Sequence, residues 1–187
     1  MNDIAGKPAL FLDRDGIINF DSGFVSKIKD FKFLDGIFDL CNYFASLNYR
    51  IIIITNQSGI GRGLFSLDDF LLLNNWMLKE FENNGCKIDL VLASALNPDN
   101  QLASRRELSF RKPAPGMIFA AQEIFNINLT KSLLIGDRDS DIQAGKSAGL
   151  SHLFLVNSKQ ETIPDAICFP NLSKCLIRLQ EMFKTTI

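Results

Sequence analysis

The sequence predicts a doubly wound α/β domain, a mostly parallel five-stranded sheet with helices on both faces. Three observations predict it. Short strand-like runs alternate with helix-like runs from end to end. One of them, Ile51-Ile52-Ile53-Ile54, is continuously β-branched, which fits a strand buried on both faces of a parallel sheet. The chain also has 187 residues, 47% of them hydrophobic and 22% charged, enough to bury the core of one domain and too apolar to be disordered.

Taken in order, the strand candidates are residues 9–12, 50–54, 90–93, 132–135 and 152–156. Between them, 36–47, 67–83, 116–125 and 141–148 space their apolar residues near the helical period, and 172–183 reads as a closing amphipathic helix. Ser66 ahead of Asp68 and Asp69 is a helix amino-terminal cap with favourable first-turn charge. Gly85 and Gly149 stand where helices stop. No repeat or linker divides the chain, so residues 1–187 are expected to form a single catalytic domain. The longest stretch without clear periodicity, 94–115, is a candidate functional loop inside it.

Composition removes several classes of function. With 20 basic and 21 acidic residues the chain carries no global positive field for nucleic acid. No apolar run approaches the roughly 20 residues of a membrane span. A cytoplasmic, monomeric protein with a small-molecule partner is expected. The four cysteines (Cys41, Cys86, Cys168 and Cys175) form no Cys-x-x-Cys pair and read as reduced and buried. A cysteine phosphatase needs an arginine six positions after its nucleophile, and those positions hold Leu47, Leu92, Lys174 and Glu181. The single histidine, His152, opens an apolar run and reads as structural.

Asp13-Arg14-Asp15-Gly16 follows the first strand, and two carboxylates so spaced can share one metal ion and one phosphate. Thr55 ends the second strand, Asp137 ends the fourth, and Lys112 lies in the segment after the third. Each alone is ordinary turn chemistry. All four, however, fall at the carboxyl ends of strands, where doubly wound sheets bind their ligands.

Phe11-Leu12-Asp13-Arg14-Asp15-Gly16, Thr55-Asn56-Gln57, Arg111-Lys112-Pro113 and Gly136-Asp137-Arg138-Asp139-Ser140-Asp141 resemble the four ordered motifs of the haloacid dehalogenase superfamily of phosphatases. The resemblance covers residues from about 9 to 150. It implies that Asp13 is the nucleophile, forming an aspartyl-phosphate, and that Asp15 is the acid and base. Thr55 and Lys112 would serve the transferring phosphate. Mg²⁺ would be held by Asp13, Asp137 and the Asp15 backbone carbonyl, with Asp141 in support and Asp139 a solvated neighbour.

Finer strings, Asn56-Gln57-Ser58-Gly59-Ile60-Gly61-Arg62-Gly63 and Pro115-Gly116-Met117 among them, resemble the D-glycero-D-manno-heptose 1,7-bisphosphate phosphatase branch. Histidinol-phosphate phosphatases are near relatives and stay open as an alternative, as does a catalytically silent binding module. The resemblance implies an open site without a large cap and a place in nucleotide-activated heptose and surface-glycan synthesis. Asn56, Gln57, Arg62 and Arg111 become candidate substrate ligands, Arg111 for the phosphate that is not transferred. That branch commonly holds a structural zinc by Cys-x-His and Cys-x-Cys before Arg-Lys-Pro. Here those segments read Ser94-Ala95-Leu96 and Leu108-Ser109-Phe110, so no structural zinc is expected. Packing of Leu96, Leu102, Leu108 and Phe110 would hold the loop instead.

Overall fold

A computed structural model describes residues 6–157 and 163–184. Among these residues the six strands are β1 (Ala9–Leu12), β2 (Arg50–Asn56), β3 (Leu90–Ser94), β4 (Leu133–Gly136), β5 (His152–Val156) and β6 (Ile167–Phe169). They form one sheet in the order β3-β2-β1-β4-β5-β6, with every pairing parallel. The sheet therefore has one strand more than the five expected. β6 is a three-residue edge strand, too short for any periodicity to register.

Among the described residues, seven α-helices surround the sheet: α1 (Ile37–Ser46), α2 (Ser58–Gly61), α3 (Leu67–Asn83), α4 (Arg105–Phe110), α5 (Gly116–Phe125), α6 (Asp139–Ser147) and α7 (Leu172–Lys184). Alternation along the strands divides the apolar residues between two cores. Leu10, Leu12, Ile51, Ile53, Leu133 and Ile135 face α1, α3 and α7. Phe11, Ile52, Ile54, Leu134 and Leu155 face α5 and α6. This is why the isoleucine run must be apolar at every position. Cys41, Cys86 and Cys175 are buried and Cys168 half-buried, and all four are free. No helix among the described residues is long and apolar enough to cross a membrane.

The strand order reverses between β1 and β4. Chain connections leave in opposite directions there, opening a crevice at the carboxyl ends. The register pairs Leu12 with Ile135. Asp13 and Asp137, just beyond, therefore stand side by side over the crevice. His152 begins β5 and lies at the opposite end of the sheet, with its ring 6.3 Å from that of Phe183.

The expected loop is partly helical. Ser104 accepts a hydrogen bond from Glu107 N at 3.3 Å, and Glu107 Oε2 accepts from Ser104 N at 2.8 Å, a capping box that starts α4. Its packing corrects the expectation in part. Leu96 is buried and Phe110 joins the α5 core, but Leu102 is 93% and Leu108 54% exposed. Polar ties supplement the two that pack: Arg111 Nη1 donates to Leu96 O at 3.2 Å, and Arg62 Nη2 pairs with Asp99 at 2.8 Å.

Candidate active site

Asp13 is the first residue past β1, and its N–H still donates to Ile135 O at 3.1 Å, so the neighbouring strand fixes where it leaves the sheet. The Arg14 carbonyl then accepts from Ile18 N at 2.8 Å and Asn19 N at 3.2 Å, which closes a tight turn beneath Asp15. Gly16 is required in that turn. Its φ is +92°, and a Cβ there would lie 2.3 Å from Asp137 Oδ2. Gly136 is small for a similar reason, because a Cβ would meet the Asp141 side chain at 2.3 Å. These two glycines let β1, β4 and the start of α6 converge.

Lys112 arrives from the far side of the crevice and is 3% exposed. Its Nζ lies 2.9 Å from Asp13 Oδ1 and 2.6 Å from Asp141 Oδ1, and donates to Ile54 O at 2.9 Å. Asn56 fixes the segment that carries it, accepting from Lys112 N at 3.1 Å and donating to Lys112 O at 2.9 Å. Asp13, Asp137 and Asp141 each place a carboxylate oxygen within 4.8 Å of the others. Burial, with Asp141 and Asp137 adding repulsion against the opposing Lys112, pushes Asp13 up to about 7. Burial and Asp141 push Asp137 up to about 6. Burial works against the Lys112 ammonium, but Asp13 and Asp141 outweigh it and its pKa is raised.

Three acidic groups around one ammonium leave negative charge unbalanced. Asp137 Oδ1 is buried with no hydrogen-bond partner among the described residues. An oxygen-only donor set with an orphaned carboxylate oxygen fits a hard divalent cation. Asp141 gives Oδ1 to Lys112 and Oδ2 to Arg138 N, whereas Asp13 meets Lys112 and Arg14 N through Oδ1 alone, so Asp13 and Asp137 are the side chains with an oxygen to offer it.

Asp15 points into a different set of partners. Arg14 Nη2 donates to its Oδ2 at 2.9 Å, Asn19 Nδ2 to Oδ1 at 3.0 Å and Gln57 Nε2 to Oδ2 at 2.8 Å. Gln57 Nε2 also reaches Thr55 Oγ1 at 2.9 Å. Above these groups opens a cavity of about 420 Å³ lined by Asp13, Asp15, Thr55, Asn56, Gln57 and Arg111, with Lys112 in its wall. Most of the residues expected from the sequence therefore meet in one place. Arg62 does not line that cavity, because its guanidinium is spent on Asp99. It still lies near enough to Arg111 that, after burial, it helps lower the Arg111 pKa. Asp139 is exposed and bonded to Gln143, a solvated neighbour as expected.

Sequence reading missed Asp21, Phe24 and Arg138, which also line the cavity. Arg138 Nη2 pairs with Asp21 Oδ2 at 2.8 Å across its rim. Asp21 and Phe24 belong to the segment between β1 and α1, which lies over the strand ends in place of a cap domain. The string Asp21-Ser22-Gly23-Phe24-Val25 resembles the heptose phosphatase branch, but that resemblance by itself gave neither residue a place in the site. Arg138 carried a signal, since it stands between Asp137 and Asp139 in the fourth motif.

Comparison with known proteins agrees with this geometry. Residues 109–166 match the HAD-hydrolase-like family model. The chain is 50% identical over 149 residues to the D-glycero-α-D-manno-heptose-1,7-bisphosphate 7-phosphatase of Burkholderia mallei, covering 79% of each chain. The chain belongs to the heptose-1,7-bisphosphate 7-phosphatase family. Another family member, the D-glycero-α-D-manno-heptose-1,7-bisphosphate 7-phosphatase of Campylobacter jejuni, is 43% identical over 90% of this chain and 93% of its own. The D-glycero-β-D-manno-heptose-1,7-bisphosphate 7-phosphatase of Yersinia pestis is 38% identical over 81% of both chains. The family fold is seen in the D,D-heptose 1,7-bisphosphate phosphatase of B. bronchiseptica, crystallised with magnesium and phosphate. That structure superposes with a TM-score of 0.81 at 24% identity, over 94% of this chain and 99% of its own.

Proposed function

We propose that this chain is a Mg²⁺-dependent phosphatase that removes the C7 phosphate of D-glycero-D-manno-heptose 1,7-bisphosphate. The observation that carries the reaction type is Lys112 Nζ, held between Asp13 at 2.9 Å and Asp141 at 2.6 Å on the floor of a polar cavity. The substrate is supported by the names of relatives at 50% and 43% identity. Both are named for the α anomer, whereas relatives at 35–40% are named for the β anomer. We therefore assign the α anomer as the preferred substrate. The enzyme would act in the cytoplasm, in nucleotide-activated heptose and surface-glycan synthesis.

Asp13 attacks phosphorus, and Lys112 screens its charge from the incoming phosphate. Thr55 Oγ and neighbouring backbone N–H groups cradle the phosphate oxygens. Asp15 protonates the leaving sugar oxygen and then takes a proton from the attacking water. Mg²⁺, held by Asp13, Asp137 and the Asp15 backbone carbonyl, would neutralise phosphate charge during transfer. Residues 94–115 act as the specificity loop, with Arg111 gripping the phosphate that stays on the sugar and Asn56 holding the Arg-Lys-Pro segment in place.

The test is Mg²⁺-dependent phosphate release from the purified chain given each anomer of the bisphosphate. Turnover should be faster with the α anomer. No release from either anomer would sink the substrate assignment, and faster β turnover would reverse the anomer assignment. Asp13→Asn should abolish release while the circular dichroism spectrum stays that of the wild type.

A further inference from the structure

Arg14 has the largest fully buried side chain among the described residues, and none of the roles above uses it. Its Nη2 lies 3.0 Å from Asp15 Oδ1 and 2.9 Å from Oδ2, and its Nε lies 3.3 Å from Oδ1. Nη2 also donates to Val25 O at 2.9 Å, and Cζ sits 5.8 Å from the Phe70 ring centroid. Nη1 is buried with no partner among the described residues.

That is an inefficient way to fill a core. Taking a guanidinium out of water is expensive, and an apolar side chain of similar volume would occupy the space without the penalty or the orphaned nitrogen. What the guanidinium provides is a rigid planar grip on one carboxylate. Asn19 and Gln57 each touch a single oxygen of Asp15, and either contact alone leaves the carboxylate plane free to turn. Arg14 reaches both oxygens from one plane and is itself anchored to the backbone at Val25.

We propose that Arg14 is a positioning residue that fixes the Asp15 carboxyl group for proton transfer. The inference rests on the reading of Asp15 as acid and base. In the first step an Asp13 oxygen bonds to phosphorus, the bond from phosphorus to the sugar oxygen breaks, and the Asp15 proton passes to that oxygen. In the second step a water oxygen bonds to phosphorus, its proton passes to Asp15, and the bond from phosphorus to Asp13 breaks. A loose Asp15 slows both steps for a sugar alkoxide. A nitrophenolate leaves without a proton, so with p-nitrophenyl phosphate only the second step suffers.

The experiment compares Arg14→Met and Arg14→Lys with the wild type on the heptose bisphosphate and on p-nitrophenyl phosphate, with Mg²⁺ present and near-ultraviolet circular dichroism to check the fold. On the bisphosphate, kcat should fall about 100-fold in Arg14→Met and about 10-fold in Arg14→Lys, with KM held within about twofold. With p-nitrophenyl phosphate, Arg14→Met should release a burst approaching one nitrophenolate per enzyme before slow turnover. Wild-type kcat in a folded variant overturns the proposal. So does loss of the burst together with turnover, or a KM rise matching the kcat fall, since either marks general collapse of the site. If Arg14→Met does not fold, Arg14→Lys decides alone by the kcat and KM criteria. A wild type inactive on both substrates overturns the phosphatase reading and this inference with it. An active wild type with unaffected variants overturns this inference alone.

Discussion

Asp137 shows what the site sacrifices for its chemistry. Its Oδ1 is buried without a partner, and burial together with Asp141 pushes its pKa up to about 6. Asp137→Asn removes that charge, so the metal-free protein should gain stability on the order of 1 kcal/mol above pH 7 while losing Mg²⁺-dependent turnover. Metal-free denaturant melts and Mg²⁺-dependent phosphate release check the two halves, and a less stable metal-free variant would show that the carboxylate is better satisfied than its geometry indicates. Arg111 invites a different comparison, being half-buried in the cavity wall with its Nη1 tied to Leu96 O. Arg111→Ala should lower kcat/KM for the bisphosphate by about 30-fold and for a heptose monophosphate by less than about threefold, because a bidentate phosphate grip is lost only where a second phosphate exists. Steady-state kinetics on the two substrates read the ratio, and equal losses would place Arg111 on the transferring phosphate instead.

The elements that carry the site differ in how plainly the sequence announces them. Strands β1, β2, β4 and β5 were readable because each is an apolar run followed directly by a polar residue, and α3 because Ser66 and Asp69 cap a 17-residue periodic stretch. The Ser104–Glu107 pair makes the same capping box, yet α4 has six residues, fewer than two turns, so no apolar period could develop behind it. α6 begins at Asp139 rather than Asp141 because the acidic first turn is already helical. Asp13, Thr55, Lys112 and Asp137 were legible as a set because the strand order brings their chain positions together. Asp21 and Phe24 were not, since their approach depends on how the β1–α1 segment folds back over the strand ends. α4 ends at Phe110, directly before Arg111, so its cap bears on where Arg111 sits. Ser104→Ala should cost about 1 kcal/mol locally and raise KM for the bisphosphate severalfold, leaving kcat nearly intact. Kinetics of the variant would expose an unchanged KM, which would uncouple α4 from Arg111.

Across the whole molecule, the buried acidic cluster ties folding to pH and to the metal. In the folded chain Asp13 titrates at about 7 and Asp137 at about 6, against an unfolded value of 3.8 for each. Between those limits the folded state holds protons that the unfolded chain has released. The stability these two groups contribute is therefore fully present below the unfolded value and is lost as pH rises through 6 to 7. A divalent cation binds the deprotonated pair and offsets that loss, but at lower pH it must displace protons first. Saturating Mg²⁺ should consequently raise Tm more at about pH 8 than at about pH 5, whereas metal-free Tm should decline between the two as this cluster ionises. Paired thermal melts, repeated with Asp137→Asn, separate the cluster from the remaining carboxylates, because the variant should lose most of the Mg²⁺ response at both pH values. A Mg²⁺ shift equal at the two pH values, or larger at about pH 5, would mean that the cation binds away from the Asp13–Asp137 pair.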